Sequence, residues 1–417
     1  MINGKYIGVL SGLAFTLFLL GVNGSDFGIS PFITSNRIAI FLLVLINIII
    51  IFRNNHIHIN KNILIISVTF VLISIWGFIS ILLSPFQGKT SVSPIITCIL
   101  IAIVLMLISN IILSNNDHLH EYFLNTVILL GTCISVFYLT WGYLNVGNLT
   151  DNYMWRVTFS TTSNGLNRVL NGLLVIGMLN ILVLFSLIKK KRIYTIFSLI
   201  TLISLFILII VTGSRQVLIG LIVTLLFTII LNLFLKKQLR KNIKRIIVIL
   251  PVLSLVIFMF FKKNAHLSTW FIDRFINRTM EGSTGDSERT GVLREAFSYI
   301  ESNPFFGVGP GVFPSINSYG LSTHNGYVYM LVSYGLIPTV TLIVIILISL
   351  LGGFKNLKRI ADVNAYNTYL FSFFTVTVLF FVSNLLNDLM DEYFFWIMIV
   401  FLVSIPFHYK RHCLRGG

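Results

Sequence analysis

KKKRIYTIFSLITLISLFILIIVTGSRQVLIGLIVTLLFTIILNLFLKKQLRKNIKR, residues 189–245, holds two apolar runs back to back, 193–212 and 216–235. A helix needs about 20 apolar residues to cross the hydrocarbon layer of a bilayer, and each run supplies them. TGSR at 212–215 leaves space for a tight turn and nothing more, while KKKR (189–192) and KKQLRKNIKR (236–245) stand at the two feet. Lysine and arginine collect in the cytoplasmic loops of membrane proteins. The stretch therefore reads as a helical hairpin with its basic feet in the cytoplasm and its turn on the opposite side.

The rest of the chain follows the same pattern. Its 417 residues are 56% hydrophobic and 11% charged, with 36 Phe, and the mean hydropathy is +0.91. Soluble domains carry about 25% charged residues, so the composition predicts an all-α, polytopic integral membrane protein. Apolar runs near 5–23, 37–52, 63–84, 92–113, 122–144, 166–188, 193–212, 216–235, 246–261, 325–351, 367–387 and 393–409 predict about 12 transmembrane helices. The first run follows a single lysine and no small-residue cleavage site comes after it, so it is expected to be a retained span and not a signal peptide. Cys98 and Cys133 fall in apolar runs and Cys413 in the basic tail, which argues against a disulfide framework. No internal repeat and no low-complexity segment stands out.

A net charge of +16 invites a nucleic-acid reading, but its distribution excludes one. KNLKR (355–359) and KRHCLR (410–415) join the two clusters above in alternate loops. With those loops in the cytoplasm, the whole +16 falls on that face, and acids and bases balance on the other. The charge sets topology, both termini are expected in the cytoplasm, and no nucleic acid is expected as a partner.

Two sizeable polar segments remain for the opposite face, about 145–165 and 262–324. The chain thus divides into transmembrane helices 1–9 (1–261), one large extracytoplasmic loop containing short helices (262–324), and transmembrane helices 10–12 with a cytoplasmic tail (325–417). STWFIDRFINRTM, at 268–280, interleaves aromatic and basic residues, as suits an amphipathic helix on a membrane surface. A second loop helix, capped by Asp286 or Ser287, should run to about Ser302, before Pro304. On a 3.6-residue period Val292, Leu293, Ala296, Phe297 and Ile300 form one stripe, with Arg289 in line and Arg294 on the opposite, polar side beside Glu295. An arginine aimed along a buried face requires an anionic partner. That partner is either an acid such as Asp388 or Asp391, or a ligand. NPFFGVGPGVF (303–313) is a turn punctuated by Gly and Pro whose spacing fits no nucleotide loop.

Arg215 has almost no loop to occupy, so it lies at the membrane boundary. There it either snorkels to headgroups or serves a fixed function. Arg156 and Arg168 flank TTSNGLN (161–167) on the other outer segment. His266 and His324 are the histidines of the outer face, and neither a His-Glu-x-x-His motif nor paired cysteines accompany them, so no metal and no cofactor are expected. Several arginine forks on one face suit phosphate oxygens, and at this depth in a bilayer the phosphate belongs to a lipid-linked diphosphate.

Together these features resemble the O-antigen ligase/polymerase superfamily, bacterial membrane glycan transferases that use polyprenyl-diphosphate-linked sugars. His324-Asn325, nine residues and Gly335 resemble its His-Asn-x9-Gly pattern. Arg289, its helix and NPFFGVGPGVF resemble its long-loop signature. GSR at 213–215 is similar to its outer-hairpin arginine, and Asn164 and Asn167 to its asparagine-bearing segment. Pro338 departs from the small or polar residue expected three positions after Gly335. The motifs span about 150–340.

The resemblance implies an all-helical GT-C-type inverting transferase in the bacterial inner membrane, with its active site on the extracytoplasmic face under the 262–324 loop. It implies that Arg215 and Arg289 grip the diphosphate and that His324 is the base or orienting group for the attacking hydroxyl. Arg156, Asn164, Asn167, Arg168, Arg294, Asn325 and Tyr327 are the expected substrate-binding residues. For Tyr327 and its neighbour Tyr329, an interfacial aromatic belt is the competing explanation. The implied partners are an undecaprenyl-diphosphate-linked oligosaccharide, membrane lipids and a chain-length regulator protein. Polymerisation of repeat units into O-antigen or capsule is the favoured activity. Ligation of finished polymer to lipid A-core remains an alternative. So does lipid-linked oligosaccharide transport, although that reading calls for charges deep in several spans and a repeat.

Overall fold

The computed structural model describes residues 4–20, 34–86, 91–114, 118–147, 163–185, 187–188, 190–234, 259, 262, 269, 284–323, 325–357, 360, 362–382 and 393–413; within these, only the backbone is described at 163–168, 215–216, 231–234, 284–287 and 408–413. The regular structure of these residues is helical: α1 (Gly4–Leu20), α2 (Ser35–Asn54), α3 (Lys61–Leu83), α4 (Ser93–Leu113), α5 (Leu119–Val146), α6 (Ser163–Leu184), α7 (Arg192–Thr212), α8 (Arg215–Phe234), α9 (Thr284–Ser302), α10 (Phe313–Ile316), α11 (Gly326–Tyr334), α12 (Leu336–Asn356), α13 (Val363–Val382) and α14 (Tyr393–Cys413).

Along α3 the usual arrangement of a water-soluble helix is inverted. Ser67, Ser74, Gly77 and Ser80 are buried with Ile63, Phe70 and Ile73, while Ile65, Leu72, Ile75, Phe78 and Leu82 are more than half exposed. Exposed apolar surface of this extent suits lipid and not water, and small residues inside let helices approach closely. α12 repeats the pattern, exposing Val340, Ile348 and Leu351. The helices α2, α3, α4, α5, α7 and α12 are long and apolar enough to cross a membrane, and shorter apolar stretches lie in α1, α6, α8 and α14. The chain is a multi-pass membrane protein.

Six full-length spans are found among the described residues, where the sequence predicts about 12. Two of the differences have a local cause. The predicted span 246–261 lies almost wholly outside the described residues. The predicted span 325–351 is two helices, α11 and α12, broken at Gly335. Of the long loop, the helix predicted near 286–302 is present as α9, and the helix predicted at 268–280 lies outside the described residues apart from Thr269.

The chain forms two compact units, one of residues 1–7, 40–119 and 283–417, the other of 8–39 and 120–282. In the first, α4 packs between α3 and α14, and α14 also packs on α12 and α13. Trp396 of α14, fully buried, meets Phe70 of α3 edge to face at 4.7 Å. In the second unit α6 is the centre, with every residue from Val169 to Leu184 buried and α7 and α8 packed against it. A helix that is apolar all round has to sit in the middle of its neighbours. Among the polar groups this core encloses, the Thr132 and Thr201 hydroxyls meet at 2.8 Å.

Candidate active site

Gly335 organises the first unit's candidate site. Its backbone stands at φ 81°, ψ −171°, a region open essentially to glycine alone. A Cβ there would lie 2.0 Å from the Phe305 carbonyl oxygen. The break leaves the last carbonyls of α11 and the first amide of α12 without partners in their own helices, and such groups are tolerated at membrane depth only where protein satisfies them. Each finds a partner. Gly335 N–H donates to Leu331 O at 2.9 Å, Val308 N–H to Val332 O at 2.7 Å and Gly309 N–H to Ser333 O at 3.2 Å. The Trp76 indole N–H of α3 reaches Tyr334 O at 3.0 Å, and Pro304 O accepts from Leu336 N–H at 2.8 Å. The glycine-rich turn 303–313 is thus the cap of a broken helix. Pro338 sits in the first turn of α12, where a missing N–H costs little.

The turn is held from its other side by α3. Trp76 stacks on Phe306 at 4.9 Å and 11°, while the hydroxyls of Ser80 and Ser84 donate to Phe306 O and Val308 O. These α3 residues escaped the sequence reading. The signal available was the run of small residues Gly77, Ser80 and Ser84 at helical spacing beside Trp76 in an otherwise apolar span.

The turn also joins α9 to α11. Val292 and Ala296 of α9, Val308, Val312 and Phe313 of the turn, and Val328 and Val332 of α11 share one core. Laced together at their C-terminal ends and sharing this core, the two helices carry Arg289 one turn before Val292 and Asn325 at the N-cap of α11.

Arg289 is exposed, which corrects the expectation of a buried cation. It does lie in line with the buried stripe, but the core stops at Val292, so the guanidinium passes beyond it and needs no buried counter-ion. Asp388 and Asp391 lie outside the described residues. Phe297, placed in the stripe by periodicity, is 51% exposed, because the packed arc is centred on Val292, Ala296 and Tyr299. Arg294 is exposed on the far side, as predicted.

Asn325 caps α11. Its Oδ1 accepts from Tyr327 N–H at 3.0 Å and Val328 N–H at 3.1 Å, the bonding of an N-cap residue. The Tyr327 hydroxyl donates to Phe380 O of α13 at 2.9 Å, so its polar end is committed to the protein. Tyr329 is 7% exposed and belongs to the core, so stacking on a sugar is closed to it. His324 and Arg156 lie outside the described residues.

In the second unit, Gly213 (φ 63°) closes α7. Gly213 N–H donates to Ile210 O at 3.2 Å and Ser214 N–H to Ile209 O at 3.3 Å, the paired bonds of a Schellman turn. Ser214 O then accepts from Leu218 N–H, so α8 begins at once and Arg215 is its first residue. The tight hairpin read from TGSR is present. Asn164, Asn167 and Arg168 lie on the first turns of α6, with only their backbone described.

Residues 200–343 match the family model described as O-antigen ligase. Over this region the chain is similar to the O-antigen ligase family, which supports the resemblance read from its motifs. The match takes in Arg215, Arg289, Arg294, His324, Asn325, Tyr327 and the Gly335 break, whereas Arg156, Asn164, Asn167 and Arg168 precede it. No curated protein matches the chain.

Proposed function

We propose that the protein is a polysaccharide polymerase of the bacterial inner membrane. In this reading it transfers a growing glycan from undecaprenyl diphosphate to the next lipid-linked repeat unit, on the extracytoplasmic face, with both termini in the cytoplasm. The observation that carries it is the joining of α9 to α11 through the capped break at Gly335. That arrangement holds the arginine-bearing helix against the helix that follows His324-Asn325.

The acceptor hydroxyl oxygen attacks the anomeric carbon with inversion as the bond from that carbon to the diphosphate oxygen breaks. His324 takes the hydroxyl proton; imidazole, with a pKa near 6.5, is suited to that at neutral pH. The electron pair leaves on the diphosphate. Arg289 and Arg215 stabilise that charge as it grows, because fixed guanidinium groups aimed at a developing anion lower a barrier without reorganising. Arg289, exposed and free of a buried structural task, suits a ligand-facing role.

The test is reconstitution with lipid-linked repeat units followed by gel analysis. A polymer ladder from the wild type is expected, with loss of about 100-fold or more for Arg289→Ala and His324→Ala at unchanged thermal stability. A His324→Ala protein that polymerises normally ends the general-base assignment. Adding lipid A-core acceptor separates the activities, since transfer of preformed polymer to it without any ladder would mean a ligase.

A further inference from the structure

Gly291 lies inside α9, where glycine is a poor helix former, and its neighbour explains it. The Tyr319 hydroxyl oxygen sits 2.1 Å from the position a Cβ would take, with two ring carbons at 2.5 and 2.8 Å. Gly291 is therefore a notch that seats Tyr319. The turn carrying Tyr319 is built with equal care. The Asn317 side chain donates to Phe313 O and Leu321 O at 2.7 and 2.8 Å and accepts from Tyr319 N–H and Leu321 N–H at 3.0 and 3.3 Å. The Glu295 carboxylate accepts from Ser318 N–H at 2.9 Å. Yet the tyrosine so carefully held is 42% exposed, so core packing does not account for it.

The surroundings of the notch are polar. Glu288, Arg294 and Glu295 stand three before, three after and four after Gly291, hence on the same helix face. Glu288 and Arg294 are exposed, and Glu295 gives only one of its oxygens to Ser318. An aromatic ring bordered by carboxylates and a guanidinium matches a pyranose. The ring takes the sugar's C–H face, the carboxylates accept from its hydroxyls, and the guanidinium donates to its oxygens. An anionic lipid headgroup is disfavoured, because two carboxylates border the ring. We propose that Tyr319, seated on Gly291 and bordered by Glu288, Arg294 and Glu295, is a saccharide-binding subsite that takes a neutral pyranose unit of the glycan. The proposal rests on the transferase reading for its ligand.

Two measurements on the full chain in lipid nanodiscs test it. The first is binding of the released repeat-unit oligosaccharide, followed by saturation-transfer NMR, and it does not depend on turnover. Tyr319→Ala and the notch-filling Gly291→Ala should each weaken binding about fivefold, with Tyr319→Phe close to wild type, since one stacked ring contributes at that level. The second is polymerisation of the lipid-linked repeat unit, where KM should rise by about the same factor while kcat changes less than about twofold. Unchanged oligosaccharide binding by Tyr319→Ala overturns the subsite, as does a loss confined to binding of phosphatidylglycerol vesicles. A wild type that binds the oligosaccharide through Tyr319 but makes no polymer leaves the subsite standing and overturns the polymerase reading instead.

Discussion

Gly335 and Asn325 stand ten positions apart at the two ends of α11, and each has a physical task that sequence spacing had not explained. Gly335 holds a backbone conformation closed to other residues, against the Phe305 carbonyl. Gly335→Ala is expected to cost about 3 kcal/mol or more. Thermal unfolding in nanodiscs should show a large fall in Tm together with loss of product, and a variant of wild-type Tm would show that the break tolerates a side chain. Asn325→Ala removes a cap and should cost about 1 kcal/mol, with Asn325→Asp or Asn325→Ser recovering most of it. Equal Tm for Ala, Asp and Ser at this position would refute the capping role. The hydroxyl of Tyr327, a residue expected to meet substrate, donates to Phe380 O. No local pattern could reveal that partner, 53 residues downstream.

Between elements, the turn 303–313 matters most. Its glycines were legible as a turn but not as a cap, because the carbonyls they serve belong to α11 and the hydroxyls that hold them belong to α3. Trp76 joins all three pieces through its indole N–H and its ring. Trp76→Phe keeps an aromatic ring for stacking but leaves Tyr334 O without its donor, and should cost about 1–3 kcal/mol. Hydrogen exchange should then speed up selectively in α11 and at Val308 and Gly309. Uniform exchange across the first unit would argue that Trp76 contributes packing alone. The same reasoning explains α9, where the stripe read from sequence is buried at Val292 and Ala296 and exposed at Phe297. Where its core would stop was not readable, because that depends on Val328 and Val332 arriving from another helix.

Across the whole molecule, the basic loops include one lysine with a structural role. Lys190, between α6 and α7, donates to Asn125 Oδ1 at 2.8 Å and to Glu121 O at 3.4 Å. Burial, partly offset by the Glu121 charge, lowers its pKa from 10.5 to about 8. Between those values the unfolded chain binds more protons than the native one, so stability rises with pH through the window from about 8 to 10 and is flat below it. Tm of the wild type should climb across that range, and Lys190→Met should flatten the climb. A wild-type Tm that falls across the window, or a slope kept in the variant, would contradict the assignment.

Helical class, membrane residence, the tight hairpin at Arg215, the extent of α9 and the motif positions around His324 all came from one-dimensional signals. Hydropathy, charge alternation and helical period are local sums over neighbouring residues, and the bilayer acts on them before any tertiary contact forms. Tertiary structure alone decided that 325–351 is two helices, that the glycine turn caps the break, that Arg289 stands clear of the core and that Gly291 seats Tyr319. Each of these depends on satisfying a backbone group or filling a space with residues remote in the chain, and such partners exist only once the helices have packed.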